Sequence, residues 1–402
     1  MKIPNFLYSR FAFILGIILL LVPSMLHAYL LMPFPGSQDL EAIGTAYFLE
    51  HSLLFTRLAG ILFLVVPLAS ALRRGGIVKR TATILFIFIC FGIYYFTDFS
   101  FSAEVMFREP TTTSFALARD SYVDQERLIV GIEHNGRAKA YPINYIGYHH
   151  KIQDSVGGMP VLVTYCTMCR TARVYNPILE GKHQEFRLVG ARHYNAVIED
   201  ESTGSWWYQA TGEAAAGPMK GARLEDIPFE QVTLRAWIEK YPSTLILQPD
   251  TLFNDEYADL SGYDRTMRVE KDATGNFPAW QRKNWVVGVT LSGSARAYDW
   301  NALVSRRIVN DMIGSVPIVL VVEDDSASYH VWSRIIGGKT LELVFDQTTQ
   351  TLKDNASGTS WNWRGECTGG YFEGTRLEPL QASQEYWHSW LNFHPNTTRW
   401  KN

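Results

Sequence analysis

Two stretches of this chain, 129-IVGIEHNGRAKAYPINYIGYHHKIQDSVGGMPVLV-163 and 286-VVGVTLSGSARAYDWNALVSRRIVNDMIGSVPIVL-320, resemble one another. Extended by one residue at the start, they align at a constant offset of 157 without a gap, and ten of the 36 positions are identical. Self-similarity at a fixed period is the signature of repeated structural units. The sequence therefore predicts two copies of one module, over residues 125–249 and 285–402, joined by a connector over residues 250–284.

The identical positions include glycines, a proline, an aspartate and a tyrosine. The ten pairs are Val130/Val287, Gly131/Gly288, Gly136/Gly293, Ala138/Ala295, Ala140/Ala297, Tyr141/Tyr298, Asn144/Asn301, Asp154/Asp311, Gly157/Gly314 and Pro160/Pro317. The similarity resumes with small gaps further along, for example at Trp237 and Trp390. Residues that both copies keep are expected to serve the fold, whereas residues of one copy only are candidates for chemistry.

Within each module the pattern is mostly that of strands. Leu128–Ile132 and Ala138–Tyr141 flank Asn135-Gly136, a dipeptide that adopts the positive φ angles of tight hairpin turns. Thr233–Tyr241 is predicted to be a helix, because a threonine can cap its start and Pro242 ends it. The expected fold class is mainly β, of the α+β kind with short helices.

Residues 1–100 have the composition of a membrane region. Phe11 to Met32 and Thr81 to Thr97 carry no charge, and Ser52 to Leu72 carries only Arg57. Each run has the length that spans a hydrocarbon core as a helix. Three transmembrane helices in a lipid bilayer are therefore predicted before the two modules, with residues 101–124 as a tether.

The distribution of basic residues predicts the orientation of these helices. Lysine and arginine residues precede the first span and are concentrated in the loop between the second and third spans, whereas residues 33–51 contain none. The residues before the first span are Lys2 and Arg10, and those of the loop are Arg73, Arg74, Lys79 and Arg80. By the positive-inside rule the N-terminus and the basic loop are cytoplasmic. The prediction is a multi-pass protein of the bacterial inner membrane, with residues after about 100 in the periplasm or outside the cell.

The composition excludes two classes of protein and limits the role of the cysteines. The 402 residues include 37 basic and 40 acidic side chains, a net charge of −3, so the chain lacks the cationic surface of a nucleic-acid binder. A hydrophobic content of 47% excludes a disordered chain. Four cysteines are too few for a disulfide scaffold. A cysteine with a role in this chain is therefore expected to have a chemical role.

Two of these cysteines stand in the sequence Cys166-Thr-Met-Cys169, between two runs of strand character. This spacing places both thiols on one tight turn, close enough for a disulfide or for two bonds to one metal ion. At the offset of 157, Cys166 aligns with Glu323 and Cys169 with Ser326. The first module is therefore predicted to be active and the second to be a degenerate copy.

Three interpretations of the cysteine pair are open. The pair can be a structural disulfide, although so short a ring is strained and gains little loop-closure entropy. It can be a metal site for zinc, with further ligands among the imidazoles, or for copper(I), with Met168 or a histidine. The available imidazoles are His149, His150, His183 and His193.

The third interpretation, thiol–disulfide redox chemistry, is our leading hypothesis. The more exposed thiolate would attack a disulfide and the other cysteine would resolve the product. Arg170 next to the pair would lower the pKa of the attacking thiol, and His149 would act as acid or base. Cys166, Cys169, Arg170 and His149 are thus the candidate catalytic residues, and Cys166, Cys169 and His149 the candidate metal ligands. The partner would be a redox protein or, for a metal module, a metal-transfer protein.

The motifs in their order resemble a bacterial family catalogued as domain of unknown function 3179. The resemblance covers about residues 115–402 and rests on four segments: His149 with Asp154-x-x-Gly157-x-x-Pro160, Val163-Thr-Tyr-Cys166-x-x-Cys169, Asp200-x-x-Thr203-Gly204-Ser205-x-Trp207, and Trp237 with Tyr241-Pro242-x-Thr244. The family usually has Cys-Pro-Leu-Cys where this chain has Cys166-Thr-Met-Cys169. The resemblance implies a relationship and no established activity.

Overall fold

The structure is a computed structural model that describes residues 10–264 and 279–401. Lys2, used above for the orientation, and residues 265–278 of the predicted connector lie outside the described residues.

The helices range from one turn to 32 residues. Their bounds are α1 Arg10–Leu31, α2 Ile43–Arg74, α3 Ile77–Tyr95, α4 Ala103–Met106, α5 Ile143–His149, α6 Leu234–Lys240, α7 Asn254–Asp259, α8 Trp300–Arg306 and α9 Trp387–Phe393.

The strands begin after the long helices. Their bounds are β1 Phe115–Leu117, β2 Leu128–His134, β3 Arg137–Pro142, β4 Lys151–Val156, β5 Met159–Cys166, β6 Thr171–Tyr175, β7 Ile178–Leu179, β8 Lys182–His183, β9 Phe186–Arg192, β10 Asn195–Asp200, β11 Trp206–Tyr208, β12 Ala214–Ala216, β13 Glu230–Thr233, β14 Leu245–Leu247, β15 Trp285–Leu291, β16 Ser294–Asp299, β17 Ile308–Ile313, β18 Val316–Val322, β19 Tyr329–Ser333, β20 Ile335–Ile336, β21 Lys339–Thr340, β22 Leu343–Asp346, β23 Thr351–Asp354, β24 Thr359–Trp361, β25 Cys367–Gly369, β26 Ala382–Tyr386 and β27 Thr398–Arg399.

Contacts divide the chain into two compact units. Unit 1 contains the residues up to Arg108 together with Gln184–Arg223, and unit 2 contains Glu109–His183 and Leu224–Asn402. Residues 184–223, which fall within the predicted first module, thus belong to the unit of the long helices. Residues 115–117 of the predicted tether form the short strand β1 of unit 2.

Unit 1 contains three helices long and apolar enough to cross a membrane, as the hydropathy pattern predicts. They cover Arg10–Leu31, Ile43–Arg74 and Ile77–Ser100, and the last ends in a π-helical turn. The second begins at Ile43, earlier than the predicted start at Ser52.

A four-stranded sheet of order β12-β11-β10-β9 completes unit 1. The side chains of Leu30, Leu31 and Leu49, at the ends of α1 and α2, share a core with Val197 and Trp206 of this sheet. Burial of apolar surface therefore attaches the sheet to one end of the long helices.

A charged pair lies among the long helices of unit 1. Arg57 on α2 forms an ion pair with Asp98 in the π-helical turn, and its guanidinium also donates to the Ser24 hydroxyl of α1 at 2.8 Å. A charge within an apolar helix is costly unless it is paired. Asp98 supplies the neutralising partner for Arg57.

Unit 2 contains two sheets of related topology, each built around a hairpin, and a four-stranded sheet β22-β23-β24-β25. One of the related sheets has the order β1-β14-β3-β2-β13 and the other β26-β15-β16-β27. In both, a hairpin forms the centre (β2-β3 and β15-β16), an antiparallel strand pairs with its first strand, and a parallel strand pairs with its second. Three-stranded sheets β4-β5-β6 and β17-β18-β19 follow the respective hairpins and short helices.

Local sequence explains why these hairpins form. Asn135 and Gly136 have φ angles of 51° and 71°, and they connect β2 to β3 as the Asn-Gly signal predicts. Gly131 on β2 faces Trp237 of α6, so closely that a Cβ atom at residue 131 would lie 2.6 Å from the indole ring. Gly288 and Trp390 repeat this contact in the other sheet, which explains why both halves keep the glycine and the tryptophan.

The shared aspartates also have structural contacts. Asp154 accepts hydrogen bonds from the Tyr141 hydroxyl at 2.7 Å and from the Lys139 ammonium group at 2.7 Å. Asp311 makes the same kind of bonds with Tyr298 and Arg296. These carboxylates connect each hairpin to the sheet that follows it, and the cysteines lie at the end of β5 in the first such sheet.

Candidate functional site

The two cysteines lie on the turn between β5 and β6. Cys166 is the last residue of β5 and pairs with Thr171 at the start of β6, so residues 167–170 form the turn. Cys169 lies within this turn, and its Sγ is 3.6 Å from the carbonyl oxygen of Cys166. Both cysteines are present as thiols, and their exposed fraction is 0%. The prediction that both sulfurs share one tight turn agrees with this geometry.

The histidine that acts on Cys166 is His150. The Tyr165 amide donates to the His150 carbonyl at 2.9 Å, which places His150 beside the end of β5. The His150 side chain favours the thiolate form of Cys166 and so lowers the pKa of that thiol. Its Nδ1 lies 3.1 Å from the Tyr148 carbonyl.

The two thiols have opposite acid–base character. Burial raises the pKa of Cys166, but hydrogen bonds from Cys169 and His150 and the charge of His150 outweigh burial, so the pKa of this thiol lies well below its usual range. Burial and the hydrogen bond and charge of Cys166 raise the pKa of Cys169 well above its usual range. Cys166 is therefore the more acidic thiol of the pair and Cys169 the less acidic one.

The second half of unit 2 is the part from β15 to β27. Residues of this half complete the surroundings of Cys169. The Tyr386 amide donates to the Cys169 carbonyl at 2.9 Å. Glu385 forms an ion pair with Arg173 at 3.1 Å and accepts from the Thr171 hydroxyl at 3.3 Å. Strand β26 thus packs its buried edge against β6 and the cysteine turn.

Arg170 ends the cysteine turn with a φ of 58° and is completely buried. Its guanidinium lies 3.4 Å from the centroid of a Trp285 ring, and it donates to the Tyr263 carbonyl at 3.3 Å and to Gln384 Oε1 at 3.2 Å. A desolvated cation over an indole face is a stabilising contact. Arg170 therefore anchors the turn to the second half of unit 2, whereas the largest influences on Cys166 are burial, Cys169 and His150.

Tyrosines surround the same turn. Tyr263 donates to the Thr167 carbonyl at 2.7 Å, and its ring meets Tyr165 edge-on at 6.1 Å between centroids. Burial raises the pKa of Tyr165, Tyr263 and Tyr386 above the usual phenol value. All three phenols are protonated at neutral pH and can serve as hydrogen-bond donors there.

A second histidine reaches this site from helix α9. His388 Nδ1 lies 2.6 Å from the Arg282 carbonyl, and burial, with the charge of Arg282, lowers the pKa of this imidazole. The charge of Cys166 acts on His388 in the opposite direction. Burial therefore disfavours the charged form of the His388 imidazole.

His149, predicted as the acid or base, has other contacts. Its Nε2 lies 2.6 Å from the Tyr257 hydroxyl, and its ring packs edge-on against Phe253 at 5.0 Å. Of the other imidazoles considered as ligands, His183 is exposed on β8, and His193 belongs to unit 1, where it bonds the Gln38 carbonyl. The structure brings Cys166, Cys169, Arg170 and His150 together.

The metal alternative requires ligand side chains that converge on one point. Within residues 10–264 and 279–401, no group of three or more His, Cys, Asp or Glu side chains has the arrangement of a metal site. The remaining cysteines, Cys90 and Cys367, are also thiols in the structure.

The sequence pointed to His149 rather than His150 and carried no signal for Glu385 or His388. The pairing of Lys151 with Thr164 continues the ladder so that His150, one residue earlier, lies opposite Tyr165. The same count places His149 opposite Cys166, so strand pairing alone does not select His150; His149 ends helix α5, and His150 follows it with a φ of 62°. No local pattern connects Glu385 or His388 with cysteines more than 200 residues away.

Comparison with known proteins identifies the family. Residues 107–397 match the family described as protein of unknown function (DUF3179), which agrees with the resemblance found over about residues 115–402. No curated protein and no solved structure matches the chain. The match covers most of the chain, and the chain therefore belongs to the DUF3179 family.

Proposed function

We propose that the chain performs thiol–disulfide exchange at Cys166 and Cys169. The observation that supports this function is the asymmetry of the pair: Cys166 ends β5 beside His150, which lowers the pKa of its thiol, whereas Cys169 lies within the turn and the pKa of its thiol is raised. A dithiol used for exchange needs one nucleophilic thiolate and one resolving thiol. This turn supplies both.

The exchange proceeds in two displacement steps. The Cys166 thiolate attacks one sulfur of a substrate disulfide, and the other sulfur leaves as a thiolate. The Cys169 sulfur then loses its proton and attacks Cys166 Sγ, which releases the second substrate thiolate. The substrate disulfide is reduced to two thiols, and the Cys166–Cys169 pair is oxidised to a disulfide.

Burial limits how a substrate reaches this pair. Both sulfurs are inaccessible in the structure, so exchange requires the turn of residues 167–170 to move. Arg170 and the Tyr386 amide hold this turn closed. We therefore expect slower exchange than at an exposed dithiol, since reactivity depends on access as well as on thiolate character.

The test uses the full-length protein in detergent, with Cys90→Ala and Cys367→Ala, incubated with oxidised glutathione. We expect the loss of two thiols, restored by dithiothreitol. Cys169→Ser should accumulate glutathione on Cys166, and Cys166→Ser should form no adduct. Retention of both thiols in the parent protein, or equal adducts in both variants, would overturn the proposal.

We also propose a location for the chain. The helices are oriented with the Arg73–Arg80 loop in the cytoplasm of a bacterium and unit 2 in the periplasm or outside the cell, because short loops rich in arginine and lysine stay inside. An extracytoplasmic compartment allows disulfides to form and persist. This location is consistent with a dithiol that alternates between the reduced form and the disulfide.

A further proposal concerns the ancestry of two segments: the one from β2 to β14, which includes β9–β12 of unit 1, and the one from β15 to β27. The elements from β2 to β14 and from β15 to β27 follow one another in the same order, and the central hairpins have the same neighbours. We infer that the chain contains two copies of one mainly β module, with the second copy retained for its packing on the first. The strand register supports this inference: Val130 and Val287, identical in the sequence repeat, pair with Gln231 and Gln384 respectively.

A further inference from the structure

A cavity lies between α1, α2 and α3, at the end of these helices where the basic loop lies. Its volume is about 480 Å³. The side chains of Phe13, Leu68 and Phe86, one from each helix, form apolar walls. All three helices thus contribute to a cavity that lies within unit 1.

Helix α3 leaves most of its surface uncovered beside this cavity. Among the described residues of α3, Thr83 is the one that is buried. Its hydroxyl donates to the Lys79 carbonyl of the same helix at 2.8 Å, so its proton is already used within α3. In a bilayer, an apolar space of this kind is filled by hydrocarbon chains, because an empty space would leave its walls without contacts.

Two cations line the same cavity. Arg10 is the first residue of α1, and Lys79 lies in the first turn of α3. Lys79 precedes Phe86 by seven residues, which is about 10 Å along a helix. The cavity therefore combines a charged end with an apolar interior.

No acidic residue neutralises this end of the helices. The sequence has no Asp or Glu before Asp39 and none between Glu50 and Asp98. Within residues 10–264 and 279–401, no ion pair involves the basic side chains of this end, which are Arg10, Arg73, Arg74, Lys79 and Arg80. Charge complementarity therefore calls for an anion that this region of the chain does not supply.

We propose that this cavity binds an anionic phospholipid. The phosphate lies against Arg10 and Lys79. An acyl chain packs between Phe13, Leu68 and Phe86. Basic pockets between membrane helices bind such headgroups, and each basic residue strengthens the attraction. The site is independent of the thiol–disulfide exchange, because the cysteine pair belongs to unit 2.

The apolar interior favours a lipid over a soluble anion. A free phosphate ion would contact the two cations and leave the apolar walls uncovered, whereas a phospholipid fills both parts of the cavity. The headgroup is expected to be anionic, since a zwitterionic lipid carries its own cation beside the phosphate. The ligand class is therefore a phospholipid with a net negative charge.

The experiment titrates the full-length protein in detergent with dioleoylphosphatidylglycerol and counts bound lipids by native mass spectrometry. The comparison ligands are dioleoylphosphatidylcholine, which has the same chains and a zwitterionic headgroup, and glycerol 3-phosphate, which has no chains. We expect phosphatidylglycerol to bind and to raise the melting temperature, since a ligand of the folded state stabilises it. The two comparison ligands should do neither at the same concentration.

Variants separate the cavity from the general charge of this end. Arg10→Gln with Lys79→Gln should weaken binding about 10- to 30-fold, because both cations next to the phosphate are lost. Arg73→Gln with Arg74→Gln is the matched control, since it removes the same charge from residues that do not line the cavity, and it should change the affinity little. Ala82→Trp should block binding with every cation retained, because Ala82 lines the cavity.

Three results would contradict the proposal. Equal losses of affinity in the two double variants would assign the effect to the charge of the loop as a whole and overturn the site. Equal binding of the two phospholipids, or of glycerol 3-phosphate, would refute recognition of an anionic lipid. An Ala82→Trp protein that melts like the parent without lipid, and still binds phosphatidylglycerol as tightly, would refute the placement of the acyl chain.

Discussion

The side-chain amide of Gln231 donates a hydrogen bond to Oε1 of Gln384 at 3.0 Å, so matching residues of two related strands meet inside unit 2. Gln231 on β13 pairs with Val130, and Gln384 on β26 pairs with Val287. The same Oε1 atom accepts from Arg170 at 3.2 Å. The contact between the two halves is thereby connected to the turn that carries the cysteines.

Replacing Gln384 with leucine removes one hydrogen-bond acceptor of the buried Arg170 guanidinium. Loss of a hydrogen bond to a buried charged group costs about 1.5–3 kcal/mol. We expect a lower melting temperature for the full-length protein in detergent and faster alkylation of Cys166 and Cys169, because Arg170 no longer anchors the turn. Gln347→Leu, at an exposed turn, is the control. Unchanged melting and alkylation would contradict the anchoring role of Arg170.

The two adjacent histidines should behave differently. His150 has a φ of 62°, a conformation that asparagine tolerates, so His150→Asn removes the imidazole with little backbone strain. Because the imidazole favours the thiolate, its loss raises the pKa of Cys166, and ultraviolet thiolate absorbance should appear about 1–3 pH units higher. His149→Asn should leave the pH at which the thiolate absorbance appears unchanged. A shift in the His149 variant alone would assign the activating role to His149.

Gly131 is expected to tolerate no side chain. A Cβ atom there would lie 2.6 Å from the Trp237 ring, so Gly131→Ala should destabilise unit 2 by about 1–3 kcal/mol through overpacking. Combining it with Trp237→Phe should recover part of the melting temperature. Gly262→Ala, where no atom lies within 4 Å, is the control. Equal melting temperatures of the two alanine variants would show that β2 can shift enough to accommodate a Cβ atom at residue 131.

Arg57 and Asp98 should be energetically coupled. Each single replacement, Arg57→Gln or Asp98→Asn, leaves the other charge without its ion-pair partner among apolar helices. The double variant should therefore be less destabilised than the sum of the single variants, by about 0.5–3 kcal/mol. Melting in detergent of all four proteins measures this difference. Additive effects would mean that the pair contributes nothing to the packing of the helices.

The orientation of the helices can be tested with reporters in cells. A phosphatase that needs disulfides for activity should be active when fused after residue 401 and inactive when inserted at Gly75-Gly76, between α2 and α3. Changing Arg73, Arg74, Lys79 and Arg80 to glutamine should weaken this preference, because short loops rich in arginine and lysine favour the cytoplasmic side. The reverse activity pattern would place unit 2 in the cytoplasm.

Local sequence determined much of this protein. The three apolar runs predict three long helices, since the length and composition of a span are properties of consecutive residues. Asn135-Gly136 predicts a hairpin turn because the φ angles it needs are a property of these two residues. The spacing of Cys166 and Cys169 places both thiols on one turn for the same reason.

Only the tertiary structure decided which side chains surround the thiols. His149 ends helix α5, where its Nε2 bonds the Tyr257 hydroxyl, whereas His150 follows with a φ of 62° and its carbonyl accepts from the Tyr165 amide at the end of β5. Glu385 lies 214 residues from Thr171 and reaches it because the edge of β26 packs on β6. Such contacts depend on long-range packing, which no local pattern of residues encodes.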